Sequence, residues 1–253
     1  MQLTGNTILI TGGGSGIGRG LAEALHARGN QVVIGGRSQA KLDATAAANP
    51  GIETARFDVT DPADVTRMAS EVTARFPALN VLINNAGIMQ VERVEAGQTE
   101  TAEATITTNL LGPIRLTAAL LPHLLQQPRA TVMNVTSGLA FVPLMATPTY
   151  CATKAALHSY SISLREQLAG TSVEVIELPP PYVQTELMNP EQASDPNAMP
   201  LGEFVTETMA LLEAHPSAPE VLVERVKGLR FAEAQGTFAQ VFGHLTAMAR
   251  ERM

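Results

Sequence analysis

The chain has 253 residues, a hydrophobic fraction of 45% and a formal net charge of −7. That length and composition suit one α/β domain with a large core, and the acidic balance argues against non-specific binding to nucleic acid or anionic lipid, which need positive surface. Cys151 is the single cysteine, so no internal disulfide can form, in keeping with a reducing cytoplasm.

The N-terminus, "MQLTGNTILIT", lacks the basic start and long apolar run of a secretory signal. No uncharged apolar run reaches the roughly 18 residues that span a bilayer, so no membrane partner is expected. His26, His123, His158, His215 and His244 are scattered, with no HExxH or paired-cysteine spacing. No metal site is expected.

Short β-branched runs alternate with longer amphipathic ones. "TILIT" (7–11) predicts a strand, and residues 17–29 a helix ending at Gly29. "QVVIGG" (31–36) and residues 38–48 repeat the pair, followed by a strand over 52–59. Asp61 then reads as the N-cap of a helix over 61–76, with Pro62 in its first position. "NVLINNAG" (80–87) is a strand, residues 99–127 a long helical stretch, and "ATVMNVTS" (130–137) a strand. A helix over 149–169 and the strand "SVEVIEL" (172–178) follow. The apolar runs suit central parallel strands buried on both faces. The alternation predicts an α/β fold: one doubly wound, Rossmann-like parallel sheet of six to seven strands with helices on both faces. Residues 186–202, rich in Pro, Asn, Asp and Gln, read as a mobile loop, and two or three helices fill the rest as a C-terminal lid. No second-domain linker is evident, so residues 1–253 read as one domain.

The first strand runs straight into "TGGGSGIGRG" (11–20). Glycines there let the backbone turn tightly and approach a pyrophosphate, and the helix N-terminus offers free N–H groups. The spacing is TGxxxGxG, through Gly12, Gly16 and Gly18, with Gly14, Ser15 and Ile17 between. In this the sequence resembles the short-chain dehydrogenase/reductase family. The resemblance covers roughly residues 5–190. The family's extended branch has different glycine spacing and a longer chain.

The end of the second strand distinguishes NAD from NADP, because an acid there bonds the ribose 2′-OH and an arginine accommodates a 2′-phosphate. Here it reads Gly36, Arg37, Ser38, with no acid. A guanidinium and a hydroxyl suit phosphate, and NADP(H) is the expected cofactor; a solvated surface arginine is the alternative. The resemblance further implies that Asp58 and Val59 of "FDVTD" contact adenine, and that Asn85, Ala86 and Gly87 of "NNAG" floor the adenosine side.

Tyr150 and Lys154 of "YCATK" are four apart on one helix face. Alone they read equally well as an ordinary helix face. With Asn109 and Ser137 they match the family's catalytic tetrad in order and spacing. Carbonyl reduction needs a proton on oxygen, and tyrosine's pKa of about 10 is too high for base work near neutrality. A nearby ammonium and an oxidised nicotinamide both favour phenolate and should depress it; Lys154 can supply the ammonium and also hold the nicotinamide ribose. Ser137 can hydrogen-bond the substrate oxygen. For Asn109 the resemblance implies a backbone carbonyl serving a proton relay.

After the last strand comes Pro180, Pro181, Tyr182, Val183, Gln184, Thr185, where the family usually has PGxVxT. The second proline stiffens the loop, with Pro180, Val183 and Thr185 still available to the cofactor. This "PPxVxTEL" form resembles the DltE-like branch of the family. Residues 220–253 read as helices joined by Gly228 and Gly236, without the C-terminal strand and "DGG" of tetrameric members. A homodimer through the two long helices is expected. Met89, Leu139, Met145, Tyr182 and Met188 are the expected apolar substrate walls. The expected activity is interconversion of an uncharged carbonyl and a secondary alcohol. A 3-oxoacyl-thioester reductase, and a non-catalytic NADP-binding regulator, are the alternatives.

Overall fold

The computed structural model describes residues 1–252. Six parallel strands form one sheet in the order β3-β2-β1-β4-β5-β6. They are β1 (Thr7–Thr11), β2 (Gln31–Gly36), β3 (Glu53–Arg56), β4 (Leu79–Asn84), β5 (Ala130–Val135) and β6 (Val173–Leu178). Successive strand side chains feed opposite faces. Ile8 and Ile10 pack with Val32, Ile34, Val81 and Ile83 in one core, and Leu9 packs with Val33, Leu82 and Val132 in the other. The first core is closed by α1 (Gly16–His26) and α7 (Leu201–Ala214), the second by α3 (Pro62–Arg75) and α5 (Gly112–Leu124).

The chain returns from β3 to lay β4 beside β1. This is the switch in strand order where ligands bind at the carboxyl ends of parallel strands. The expected helix starts hold. Ser38 Oγ accepts from Lys41 N at the head of α2 (Gln39–Ala48), and Asp61 accepts from Ala63 N and Asp64 N at the head of α3.

Four expectations are corrected. The third strand stops at Arg56, because the Asp58 carboxylate accepts from both Thr60 N and Thr60 Oγ1 and turns the chain. The helix over 99–127 is two helices, α4 (Glu100–Ile106) and α5, joined by a π-turn at Thr107–Leu111. The segment at 220–223 is extended rather than helical. Glu177 N donates to Pro219 O at 2.9 Å and Val221 N donates to Glu177 O at 2.8 Å, so this segment covers the edge of β6. Two helices follow it, α8 (Lys227–Arg230) and α9 (Phe238–Arg252). The loop at 186–202 contains a 3-10 turn at Pro190–Ser194 and is pinned from within. Buried Gln192 donates to Val183 O and Thr185 Oγ1, and Met188 N donates back to its Oε1.

Candidate active site

A cleft of about 1990 Å³ opens along the carboxyl ends of β1, β4, β5 and β6. That exceeds the ~300–1,000 Å³ of an ordinary small-ligand pocket and leaves room for a dinucleotide with a substrate beside it. One end is the glycine turn. Gly12 takes a left-handed φ of 67°, which lets the chain double back into α1. Ser15 stands at the N-cap of α1 without a side-chain cap bond, leaving the N–H groups of the first turn for a ligand. Gly12, Gly14, Ser15, Gly16 and Ile17 line the cleft. Gly18 does not; it lies beneath the turn, where a Cβ would stand 2.4 Å from both Gly12 O and Asn85 Nδ2.

The β4 end is tied to that turn. Asn85 Nδ2 donates to Thr11 O, and Thr11 Oγ1 accepts from the backbone N–H groups of Asn85 and Ala86, all at 2.9 Å. Asn85, Ala86 and Gly87 form the cleft floor. Arg37 lines the same cleft at the end of β2, and it also borders a small side pocket of about 150 Å³ with Arg56, Asp58 and Arg67. Ser38, Asp58 and Val59 do not line the main cleft. Ser38 caps α2, Asp58 holds its own turn, and Val59 is buried against the α5 start at Gly112.

At the other end Ser137, Tyr150 and Lys154 face one mouth of the cleft. Tyr150 and Lys154 come from α6 (Pro148–Gln167), and both are buried. Ser137 Oγ accepts from Leu139 N at 3.1 Å, and its hydroxyl is hydrogen-bonded with Tyr150. Lys154 Nζ donates to Val135 O at 2.8 Å and lies 5.6 Å from the Tyr150 ring centroid. Burial pushes the Tyr150 phenol up to about 12, and a hydrogen bond with Ser137 pulls the other way. Burial also pulls Lys154 down to about 8, with Glu177 opposing. The expected depression of the phenol by Lys154 is therefore corrected for the free chain. Desolvation of the phenol outweighs any neighbouring cation.

Asn109 lies in the π-turn, fully buried, and does not line the cleft. Its side chain donates to Ile88 O at 2.8 Å and accepts from Ile88 N at 2.9 Å, fastening the loop that follows Gly87. Pro113 stands four residues after Asn109 and has no N–H. The Asn109 carbonyl therefore lacks its α-helical donor.

Pro180, Val183 and Thr185 line the cleft wall after β6, with Thr185 against Gly16. Met89, Leu139, Tyr182 and Met188 line the open end, joined by Val241, Leu245 and Met248 of α9. Met145 does not; its side chain is exposed on the surface turn before α6. Sequence reading also missed Glu92. The α6 N-cap, Thr147, makes no side-chain cap bond; instead Glu92 accepts from Thr149 N at 3.0 Å and Thr149 Oγ1 at 2.7 Å. This remote cap holds the first turn of α6, which starts at Pro148, two residues before Tyr150. No local motif announces a partner so far away in sequence.

Residues 6–196 match the family model for short chain dehydrogenases. An uncharacterized oxidoreductase, DltE of Bacillus subtilis, is 43% identical over 237 residues, covering 92% of this chain and 93% of the relative. Among solved structures, a short chain dehydrogenase from Burkholderia cenocepacia in complex with NADP superposes with a TM-score of 0.80 at 29% identity, covering 95% of this chain and 98% of that one. A 3-ketoacyl-(acyl-carrier-protein) reductase from Brucella melitensis complexed with NADH gives 0.75 at 27% identity, covering 86% and 93%. Likeness in sequence along nearly the whole chain, and in fold, makes this protein a member of the short-chain dehydrogenase family of oxidoreductases, in the branch of its DltE relative.

Proposed function

We propose that the chain is an NADP(H)-dependent oxidoreductase that interconverts an uncharged carbonyl and a secondary alcohol, with Tyr150 as its acid/base. The observation that carries this reading is the meeting of Ser137, Tyr150 and Lys154 at one mouth of a cleft whose other end is the glycine turn. A bound nicotinamide nucleotide supplies or accepts the hydride. In the reducing direction Tyr150 gives its proton to the substrate oxygen, and a phenol held near 12 is fully protonated at neutral pH. Ser137 turns its hydrogen bond to the same oxygen. Lys154 is placed to hold the ribose and to add positive charge beside the phenol once the site is filled. The apolar side chains of Met89, Leu139, Met188 and Leu245 exclude water around it.

Arg37 supports the choice of NADP(H), because no carboxylate stands at the β2 end to bond a 2′-OH. Arg37→Asp is expected to lower the NADP/NAD ratio of kcat/KM by at least tenfold, and an unchanged ratio removes Arg37 from the phosphate site. A panel of ketones, aldehydes and acyl-thioesters with NADPH gives the substrate class, and nucleotide binding without turnover on any of them sinks the enzymatic reading. Exposed Ile106 and Ile162 on the two long helical stretches support a homodimer of this single domain, and we infer a reducing cytoplasm as its compartment.

A further inference from the structure

Tyr150, Lys154 and His158 recur every four residues along one face of α6. The third has no part in the chemistry above, yet it ends on a charge. Glu177, next to last in β6, is fully buried. Its Oε1 accepts from Thr136 Oγ1 at 2.7 Å and its Oε2 pairs with His158 Nδ1 at 2.7 Å. A carboxylate taken out of water costs several kcal/mol unless hydrogen bonds and a counter-charge offset it. The hydrogen bonds are these two. Lys154, also buried, has its Nζ bound to the carbonyl of Val135, the residue before Thr136. A buried lysine and a buried glutamate thus hang on adjacent residues at the end of β5.

The surroundings fix which other charges matter. On α6 they are Tyr150, Lys154 and His158, the last with a side chain 20% exposed. Glu220, in the segment beside β6, has a carboxylate oxygen within 4.8 Å of the donor atoms of His158 and Glu177. Arg230 of α8 takes both oxygens of Glu220, at 2.9 and 3.0 Å, and stacks over Phe141, which meets the His158 ring edge-on. These groups therefore pair with one another as an internal network rather than standing open as a metal-ligand set.

We propose that Glu177 is a positioning residue for the reaction: its buried carboxylate keeps Lys154 charged and aimed into the cleft, and His158 links that carboxylate to the surface. The role given to Lys154 rests on the function proposed above. The electrostatic link itself does not. Burial and Glu177 act on Lys154 in opposite directions, so removing the carboxylate leaves desolvation alone. The lysine then sheds its proton at lower pH.

The chain has three lysines, Lys41, Lys154 and Lys227, so NMR of protein labelled with 13C at lysine Cε gives three signals. Loss of one in Lys154→Met assigns Lys154. In Glu177→Gln the Lys154 midpoint is expected to fall by about one pH unit or more, tenfold in its proton affinity, with Lys41 and Lys227 unmoved. Glu177→Asp, which keeps the charge, should restore most of the shift. An unmoved Lys154 midpoint in folded Glu177→Gln overturns the proposal. This readout needs neither nucleotide nor substrate, so it stands apart from any failure to find turnover. Where turnover is found, the alkaline limb of kcat/KM moves to lower pH in Glu177→Gln, which a merely structural role would not produce. If Glu177→Gln alone does not fold, the double variant Lys154→Met/Glu177→Gln decides: with both buried charges gone it should fold and be at least as stable as Lys154→Met, and a double variant that also fails to fold overturns the proposal.

Discussion

Tyr150→Phe is expected to lower kcat by on the order of a thousandfold while leaving the NADP(H) dissociation constant within about twofold. The phenol ring is buried on the α6 face, so phenylalanine fills the same space and the packing survives. What disappears is the one hydroxyl placed to pass a proton to the substrate oxygen. Ser137 remains, but its alcohol can only hydrogen-bond that oxygen; it has no neighbouring base to draw on. The measurement is steady-state NADPH oxidation beside a nucleotide-binding titration. Turnover within tenfold of the parent would remove Tyr150 from the acid/base role, and loss of binding alongside turnover would mean that the ring supports the nucleotide site instead.

Gly18→Ala is expected to destabilise the fold by about 1–3 kcal/mol and to weaken nucleotide binding at least tenfold. A methyl group here meets Gly12 O and Asn85 Nδ2 at 2.4 Å. The carbonyl belongs to the backbone of the turn, and the amide already donates to Thr11 O. Neither can retreat without opening the joint between α1 and the ends of β1 and β4. Because that joint shapes the nucleotide end of the cleft, stability and binding should fall together. Thermal unfolding and nucleotide titration on the same preparation check this; an unchanged melting temperature would mean that α1 can slide away from the turn without cost.

Much of this was legible in the sequence for identifiable reasons. Strands such as Leu79–Asn84 are apolar throughout because both faces are covered, and their order with the helices forces a parallel sheet. The glycine turn, Ser137, Tyr150 and Lys154 stand out in the sequence because each chemistry is tied to a short local spacing, and the fold brings them to one cleft. The misses have a different character. The π-turn at Thr107–Leu111 needs knowledge of what Asn109 fastens across space, although Pro113 was a clue to the lost helical bond. The short pairing of Pro219–Val221 with β6 depends on an edge that no local pattern reveals. Met145 was placed among the substrate walls on composition, but which way a loop methionine points is a tertiary matter. Glu92 and Glu177 act through partners 19 to 57 residues away, Glu92 on Thr149 and Glu177 on Thr136 and His158. In the chain without nucleotide the Tyr150 phenol stands high rather than low, because burial, which a sequence does not display, outweighs the charge beside it.

The account depends most on the phenol of Tyr150 facing the place where a nicotinamide would bind. Ultraviolet difference titration reads this directly, with Tyr150→Phe subtracted so that Tyr160 and Tyr182 cancel. In the free protein the Tyr150 midpoint should lie near 12. Saturating NADP⁺ brings a positive ring to the mouth of the cleft and should make phenolate appear at about pH 9 or below, a signal absent from the variant. A phenolate signal indifferent to the nucleotide would contradict the account.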